Sequence, residues 1–368
     1  MIAVMGNHTV LGRRALNRAT LDRQLLLRRS GLSVPRALEH LVGLQAQTPH
    51  TWYIGLWSRL ADYDPHATGR LLTDRGAVRT ALMRSTIHMV TAADALRLRP
   101  VLGPVIERGL TGPDLGALAE AGRALVEERP LTFKELGRAL AERWPDGDPA
   151  AMTQAVRALV PLAQVPPRGV WGRSGSVAHT SVEAWLGRPV DAAATREELV
   201  LRYLAAFGPA TVRDAQTWSG LTRLAEVFDG LRPRLAVFRD EDGRELFDLP
   251  DAPRPDPDTP APARFLYDFD NLLRSHADRR RVMTVDFADQ GFEIRNGQPP
   301  HAVLVDGVVA ATWKAAAARG TAALTVRPFR ALTTAEKEEL HAEGARLLAF
   351  LEPGAGTRDV VFETPRPG

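Results

Sequence analysis

Apolar side chains recur every three to four residues through most of the first 230 positions, and at alternate positions or in short runs beyond residue 280. The first spacing lines one face of an α-helix, the second one face of a strand. Thr20 is placed to cap a helix over 20–29 that carries Leu21, Leu25 and Leu26 and closes at Gly31. Ser33 caps a second helix, with Pro35 near its first turn and Ala37, Leu38, Leu41, Val42 and Leu44 on the apolar stripe. A third carries Trp52, Tyr53, Leu56, Trp57 and Leu60. Residues 78–83 and 86–90 then read as two short strands about a tight turn, and Thr91 with Asp94 makes a capping box that opens another helix. Three helices followed by a two-stranded wing make a winged helix.

The outline returns twice. Pro130-Leu131-Thr132-Phe133-Lys134-Glu135-Leu136 and Pro209-Ala210-Thr211-Val212-Arg213-Asp214-Ala215 keep proline, capping threonine, basic and acidic residues in step, and Gly31-Leu32-Ser33-Val34-Pro35-Arg36-Ala37 is a weaker copy. A helix precedes each later copy, over 115–128 and 196–207, and another follows, over 150–162 and 221–231. Extended residues with turn chemistry come next, over 165–177 and over 235–248 around Glu241-Asp242-Gly243. The expected fold is mainly α with β wings, an α+β chain of three tandem winged-helix units over 1–108, 109–192 and 193–250. Prolines at nearly alternate positions stiffen a linker over 251–262. The rest, 263–368, is expected to be a β-rich α+β domain. Its strands fall over 281–287, 292–296, 302–313 about an Asp306-Gly307 turn, 323–329 and 359–362, with a helix over 334–351.

Composition removes several chemistries. The chain has no cysteine, which excludes disulfides, thiolate nucleophiles and Cys-based metal sites and fits a cytoplasmic setting. No apolar run approaches a membrane span, and the first residues are too short and polar a stretch for a signal peptide. Charge is unevenly spread. Through residue 100 there are fourteen arginines and six acidic residues, an excess of +8, so a whole-chain balance of +3 leaves −5 for the remainder. An anionic partner at the N-terminal third, DNA or RNA foremost, is one explanation, and a solvated arginine-rich surface is the other.

The stretch Gly43-Leu44-Gln45-Ala46-Gln47-Thr48-Pro49 concentrates the candidate chemistry. A glutamine offers one acceptor oxygen and two donor hydrogens, so a converging pair can hold a water or a polar substrate atom. Residues two apart diverge on a continuous helix, but Pro49 implies a helix-to-helix corner there. Trp52 follows closely, as core or as a platform near the corner. In the first wing, Arg84 precedes Thr86 and His88, which share one strand face; His88 either orients a water or phosphate or is a satisfied structural histidine. The run 270–281, with Arg274, His276, Arg279, Arg280 and Arg281, is either a hairpin that enters a DNA groove or a solvated loop. There is no phosphate-loop or dinucleotide glycine motif and no metal-binding histidine pattern, so neither metal nor cofactor is expected.

Gly43-Leu44-Gln45-Ala46-Gln47 after an arginine-rich first helix, Arg84-Ser85-Thr86-Ile87-His88 before a capping box, and Asp270 with His276 and Arg279 after the repeats together resemble the AlkZ family of bacterial winged-helix DNA glycosylases. The resemblance spans nearly the whole chain. It implies a C-shaped array around duplex DNA and a catalytic Gln-x-Gln pair, which would be Gln45 and Gln47, with Thr48, Trp52, Arg84, Thr86 and His88 as neighbours. It further implies excision of N7-alkylated guanine, including unhooking of interstrand crosslinks, by a monomeric, monofunctional enzyme that leaves abasic sites. Retention of glutamine at 47, where other members carry aspartate, resembles the group linked to azinomycin-type crosslinks and self-resistance in actinobacteria. The competing class is a non-catalytic winged-helix regulator or architectural DNA-binding protein.

Overall fold

The computed structural model of the chain describes residues 9–111, 114–292, 294 and 297–365. The first helix begins before its expected cap: it is Arg13–Arg23, and Thr20 lies inside it, its hydroxyl donating to the Leu16 carbonyl at 2.9 Å. Threonine makes this bond to the preceding turn when no free N–H lies within reach. The helix stops at Gln24, where Leu25 takes a φ of 57°, rather than at Gly31. Helices Val34–Leu41 and Thr51–Arg59 follow, although Ser33 holds the cap position without a side-chain bond. The periodicity does not anticipate the helix Pro65–Thr73, yet its signal is local: Asp64 accepts from the His66 and Ala67 N–H groups, and Pro65 occupies the first turn.

The first hairpin consists of Ala77–Ala81 and Ile87–Thr91, joined through the 3-10 turn Met83–Ser85. Helix Ala92–Ile106 follows, and here the capping box is only half formed. Thr91 accepts from the Asp94 N–H at 3.2 Å, but the Asp94 carboxylate turns to the Arg202 guanidinium at 2.5 and 2.7 Å. Two charge-assisted bonds outweigh one neutral backbone bond. The stronger repeats form complete boxes, Thr132 with Glu135 and Thr211 with Asp214, at the starts of Phe133–Arg143 and Val212–Ser219. The flanking helices are Leu115–Glu128 with Pro149–Leu159, and Arg196–Phe207 with Ala225–Leu231.

Three sheets complete the described residues. The largest runs Leu44–Gln45, Ile87–Thr91, Ala77–Ala81, Leu162–Gln164, Ala178–Ser181 and Leu131–Thr132, so strands of the first two repeats join edge to edge, with Arg79 opposite Gln164 and Thr80 opposite Ala163. A second places Val10–Leu11 parallel to Ala236–Asp240, which pairs with Glu245–Asp248. The third runs Arg264–Phe265, His301–Val305, Val308–Ala318, Thr321–Pro328 and Thr357–Phe362, and helix Thr334–Leu351 packs on it through Leu340, Leu347 and Leu348. Asp306 and Gly307, at φ 46° and 79°, make the tight turn expected there. Residues 281–287 form turns instead of the expected strand. Arg281 is drawn inward to the Thr20 hydroxyl and the Pro209 carbonyl, and that inward pull is incompatible with strand alternation. The strand expected over 292–296 lies partly outside the described residues. No helix among the described residues is long and apolar enough to cross a membrane.

The proline-rich run contains neither helix nor strand, yet it lies against the first helix: Arg23 donates to the Pro253 carbonyl at 3.0 Å and Arg18 to that of Thr259 at 2.7 Å. The arginine excess of the N-terminal third is matched in the same way, from within. Arg23 grips Asp248 at 2.6 and 2.9 Å, Arg59 grips Asp270 at 2.7 and 2.8 Å, Arg29 reaches Glu343 at 2.6 Å, and Arg14 reaches Asp306 at 2.6 Å. Acids from the later part of the chain thus neutralise arginines of the first. Part of the imbalance is therefore met within the chain and needs neither an anionic partner nor a solvated surface to account for it.

Neither member of the Arg59–Asp270 pair exposes any surface. Asp270→Ala leaves a buried guanidinium uncompensated and is expected to lower the unfolding free energy by about 3–5 kcal/mol, read as a lower urea midpoint. Replacing both together, Arg59→Met with Asp270→Leu, should recover much of that loss. A decrease below about 1 kcal/mol for the single variant would mean that the pair is solvated in solution.

Candidate active site at the Gln-Ala-Gln corner

Helix Val34–Leu41 ends on two left-handed residues, Val42 at φ 55° and Gly43 at φ 83°. A Cβ at Gly43 would stand 2.5 Å from the Val90 side chain and 2.9 Å from the Met89 carbonyl, so only glycine lets the chain approach the hairpin this closely. The expected helix-to-helix corner is therefore a helix, a short strand and a helix. Leu44 and Gln45 pair with Met89 and His88, and the Ala46 N–H extends the ladder to the Ile87 carbonyl at 2.7 Å. The strand ends at Gln45, and Gln47 follows two residues on, so pairing with the hairpin and not the proline sets the local geometry of the glutamines. His50 at φ 67°, and not Pro49, precedes the helix Thr51–Arg59.

The two amides do not bond one another. Gln45 is buried, and its Oε1 accepts from the Arg84 guanidinium at 2.8 Å. Gln47 is exposed, and its Oε1 accepts from the Ile87 N–H at 3.2 Å. A guanidinium and a backbone N–H can only donate, so the orientation of both amides is fixed chemically. Their Nε2 groups donate to nothing among the described residues. Gln47 retains one lone pair and two donor hydrogens at the surface; Gln45 is held beneath it.

Arg84 reaches Gln45 from a strained turn, with Arg84 at φ 55° and Ser85 at φ 58°. Each left-handed non-glycine residue costs roughly 1–2 kcal/mol. The turn is held from outside: Arg84 also donates to the Trp218 carbonyl, and Arg157 to the Ser85 carbonyl at 2.7 Å. Burial pushes the Arg84 guanidinium down to about 10, with the Arg274 charge adding to the effect. Arg79 lies behind the corner, donates to the Ala46 carbonyl at 2.9 Å, and is likewise pushed down to about 10 by burial and by Arg168. His88 is buried, its Nδ1–H donates to the Thr86 carbonyl at 2.9 Å, and burial followed by the Arg84 charge pushes it down to about 3. Thr86 donates to the Met83 carbonyl at 3.0 Å. Trp52 is buried and stacked on Tyr53 at 3.9 Å.

Beyond Gln47 stands a group that the sequence reading omits. Asp268, 1% exposed, accepts from Thr48 at 2.5 Å, Thr51 at 2.8 Å, Gln298 at 2.9 Å and the Phe269 N–H at 3.1 Å. Burial pushes His301 down, while the Asp268 charge opposes that shift. Asn271, three residues on, donates to the Gly43 carbonyl at 2.7 Å. The run Asp268-Phe269-Asp270-Asn271 stands out locally as polar residues around one aromatic, but nothing local ties it to a motif some 220 residues earlier.

The basic run placed at 270–281 is not a hairpin: it comprises the 3-10 turn Asn271–Leu273 and further turns. His276 is buried between Ser275 at 2.8 Å and the Phe207 carbonyl at 3.1 Å, and Arg281 is buried against Thr20 and Pro209. Arg280 pairs with Asp278 and Asp242, Arg279 lies 3.7 Å from Asp286, and Arg274 sits over the Phe269 ring at 5.8 Å. Of the five, Arg279 and Arg280 reach the surface most fully and line a groove of about 860 Å³ with Arg213 and Asp240; neither glutamine lines it. Among the described residues no cluster of histidines and carboxylates could hold a metal ion.

The scaffold of short capped helices and hairpins that holds this corner is that of a class described as DNA glycosylases: residues 38–350 match the family DNA glycosylase AlkZ-like. The chain belongs to this family of DNA glycosylases, and so to the proteins of DNA repair. Among solved structures it is similar to Streptomyces sahachiroi DNA glycosylase AlkZ, with a TM-score of 0.75 and 20% identity over 96% of this chain and 100% of that one. That likeness is one of fold. No curated protein sequence matches the chain.

The histidines at this face give the fold a pH dependence. His88 is pushed down to about 3 and His179 to about 4, chiefly by burial, whereas an unfolded histidine takes up its proton near pH 6.5. Each group therefore leaves stability intact above about pH 6.5 and withdraws roughly 1.4 kcal/mol per pH unit below it, until its folded value is reached. The urea midpoint should be level from pH 8 to 7 and fall between pH 6 and 4. His88→Gln should flatten that fall, and an unchanged slope would show that His88 is protonated in the folded chain.

Proposed function

We propose that the chain hydrolyses the N-glycosidic bond of N7-alkylated guanine in duplex DNA and leaves an abasic site. The observation that carries this reading is the fixed orientation of two neutral amides, with Gln47 exposed and Gln45 held by a part-buried bond from Arg84. Alkylation at N7 makes guanine cationic, so the base departs without a general acid, and the enzyme need only place water against the oxocarbenium-like sugar. Neutral amides are weak bases and suit such an activated leaving group and few others. Gln47 holds the water through its free hydrogens and remaining lone pair; Gln45 keeps Arg84 and the strand beneath it in place.

The reaction is read as monofunctional. The three lysines stand at 134, 314 and 337, and none is among the groups bonded at the corner, so no lysine amine is at hand there to form a Schiff base. The three helix-and-hairpin repeats are read as tandem winged helices arranged in a C around the duplex, acting as a monomer in the cytoplasm. A corner formed on a short edge strand suits an open site, one that admits a guanine still joined to the opposite strand. Unhooking of interstrand crosslinks, and self-resistance to azinomycin-type agents, fall within this reading.

Single-turnover cleavage of a duplex with one N7-methylguanine, developed with hydroxide at abasic sites, tests it. Wild type should exceed spontaneous depurination, and Gln47→Ala should lose at least about 100-fold in rate with duplex affinity retained. Cleavage by wild type at the spontaneous rate would refute the reading, and equal rates in the two proteins would move the chemistry away from Gln47.

A further inference from the structure

The amide orientation leaves a gap in the site. Both glutamine oxygens are engaged by protein donors and both Nε2 groups point donors elsewhere, so the corner is rich in hydrogen-bond donors. Two guanidiniums, buried Arg79 and half-buried Arg84, add positive charge behind it. A sugar that develops positive charge, and a water that must lose a proton, call for an acceptor and a negative group instead. One carboxylate is placed to supply both. Asp268 lies beneath Thr48, the residue after Gln47, and takes its hydroxyl hydrogen at 2.5 Å. Thr51, Gln298 and the Phe269 N–H fix the carboxylate from the other sides at 2.8, 2.9 and 3.1 Å. With its hydrogen committed inward, the half-buried Thr48 hydroxyl has only lone pairs left for a partner outside.

We propose that Asp268 is the anionic positioning residue of the reaction and acts through the Thr48 hydroxyl, which accepts a hydrogen bond from the attacking water beside Gln47. This rests on the glycosylase reading above. As the C1′–N9 bond breaks, its electron pair leaves with the purine and neutralises the alkylated ring. The water oxygen bonds to C1′, one water proton passes to Thr48, and the Thr48 proton passes to Asp268. The carboxylate also faces the positive charge that grows on the sugar. Burial makes that interaction stronger than it would be in solvent.

The test compares wild type, Asp268→Asn, Thr48→Val and Thr48→Ser in single-turnover release of N7-methylguanine. Affinity for an undamaged duplex and the thermal midpoint are measured on the same samples. Asp268→Asn and Thr48→Val should each slow release by about 100-fold with affinity and midpoint kept, and Thr48→Ser, which restores the hydroxyl, should recover most of the rate. A scaffold role predicts the reverse split: midpoint and affinity fall, and Thr48→Val, which keeps shape, stays active. Thr48→Val at the wild-type rate overturns the proposal whatever Asp268→Asn does, and so does Asp268→Asn within about threefold of wild type. A wild type that releases no base refutes the glycosylase reading itself, and leaves Asp268 no reaction to serve.

Discussion

The buried pair of Arg59 and Asp270 is the constraint on which the geometry of the corner depends. Its two short bonds join helix Thr51–Arg59 to the turn Asn271–Leu273, and further bonds run from Arg59 to the Gly55 carbonyl at 3.0 Å and from the Leu272 N–H to Asp270 at 3.0 Å. A buried ion pair is tolerated when close geometry and further hydrogen bonds offset the loss of solvation. Once Asp270 is pinned, its neighbours have little freedom. Asn271 must reach the Gly43 carbonyl, and Asp268 must lie under Thr48 and Thr51. The corner is thus gripped from both ends by three residues of one later segment, Asp268, Asp270 and Asn271.

Around that grip, the polar groups are sorted by sign. Arg79 and Arg84 take the oxygens, one the Ala46 carbonyl and the other the Gln45 amide, while Asp268 takes the hydroxyls of Thr48 and Thr51. Every partner in these bonds is an obligate donor or an obligate acceptor, apart from the hydroxyls, which turn to suit. Flipping either amide would set its Nε2 donors against another donor, the Arg84 guanidinium for Gln45 and the Ile87 N–H for Gln47, and preorganisation of this kind is what electrostatic catalysis requires. The strained turn at Arg84 and Ser85 belongs to the same arrangement, since Trp218 and Arg157 hold it from two other parts of the chain.

Repeated local signals meet a shared tertiary framework here. The threonine caps at 132 and 211 act where they stand, but the hairpins behind them do not remain separate: those of the first two repeats merge into one six-stranded sheet, and the third gains a parallel strand from Val10–Leu11. The corner lies at the end of the merged sheet, on its edge strand. Edge position leaves one side of Leu44–Gln45 free of a neighbouring strand.

The sequence by itself determined the elements whose causes are local. Thr132 with Glu135, Thr211 with Asp214, the Asp306-Gly307 turn and the helix Thr334–Leu351 were legible because caps, turns and periodicity act within a few residues. The glutamine pair was legible as a motif and as a likeness to a family, although its strand geometry was not, since that comes from pairing with His88 and Met89. What only the tertiary structure decided was the charge of the site. Which arginines are buried and matched, that Arg84 holds Gln45, that His276 and Arg281 are internal, and that Asp268 lies under Thr48 all follow from contacts between segments far apart in the chain. Such partners are chosen when a buried charge must find its complement, and that requirement arises only once water has been excluded.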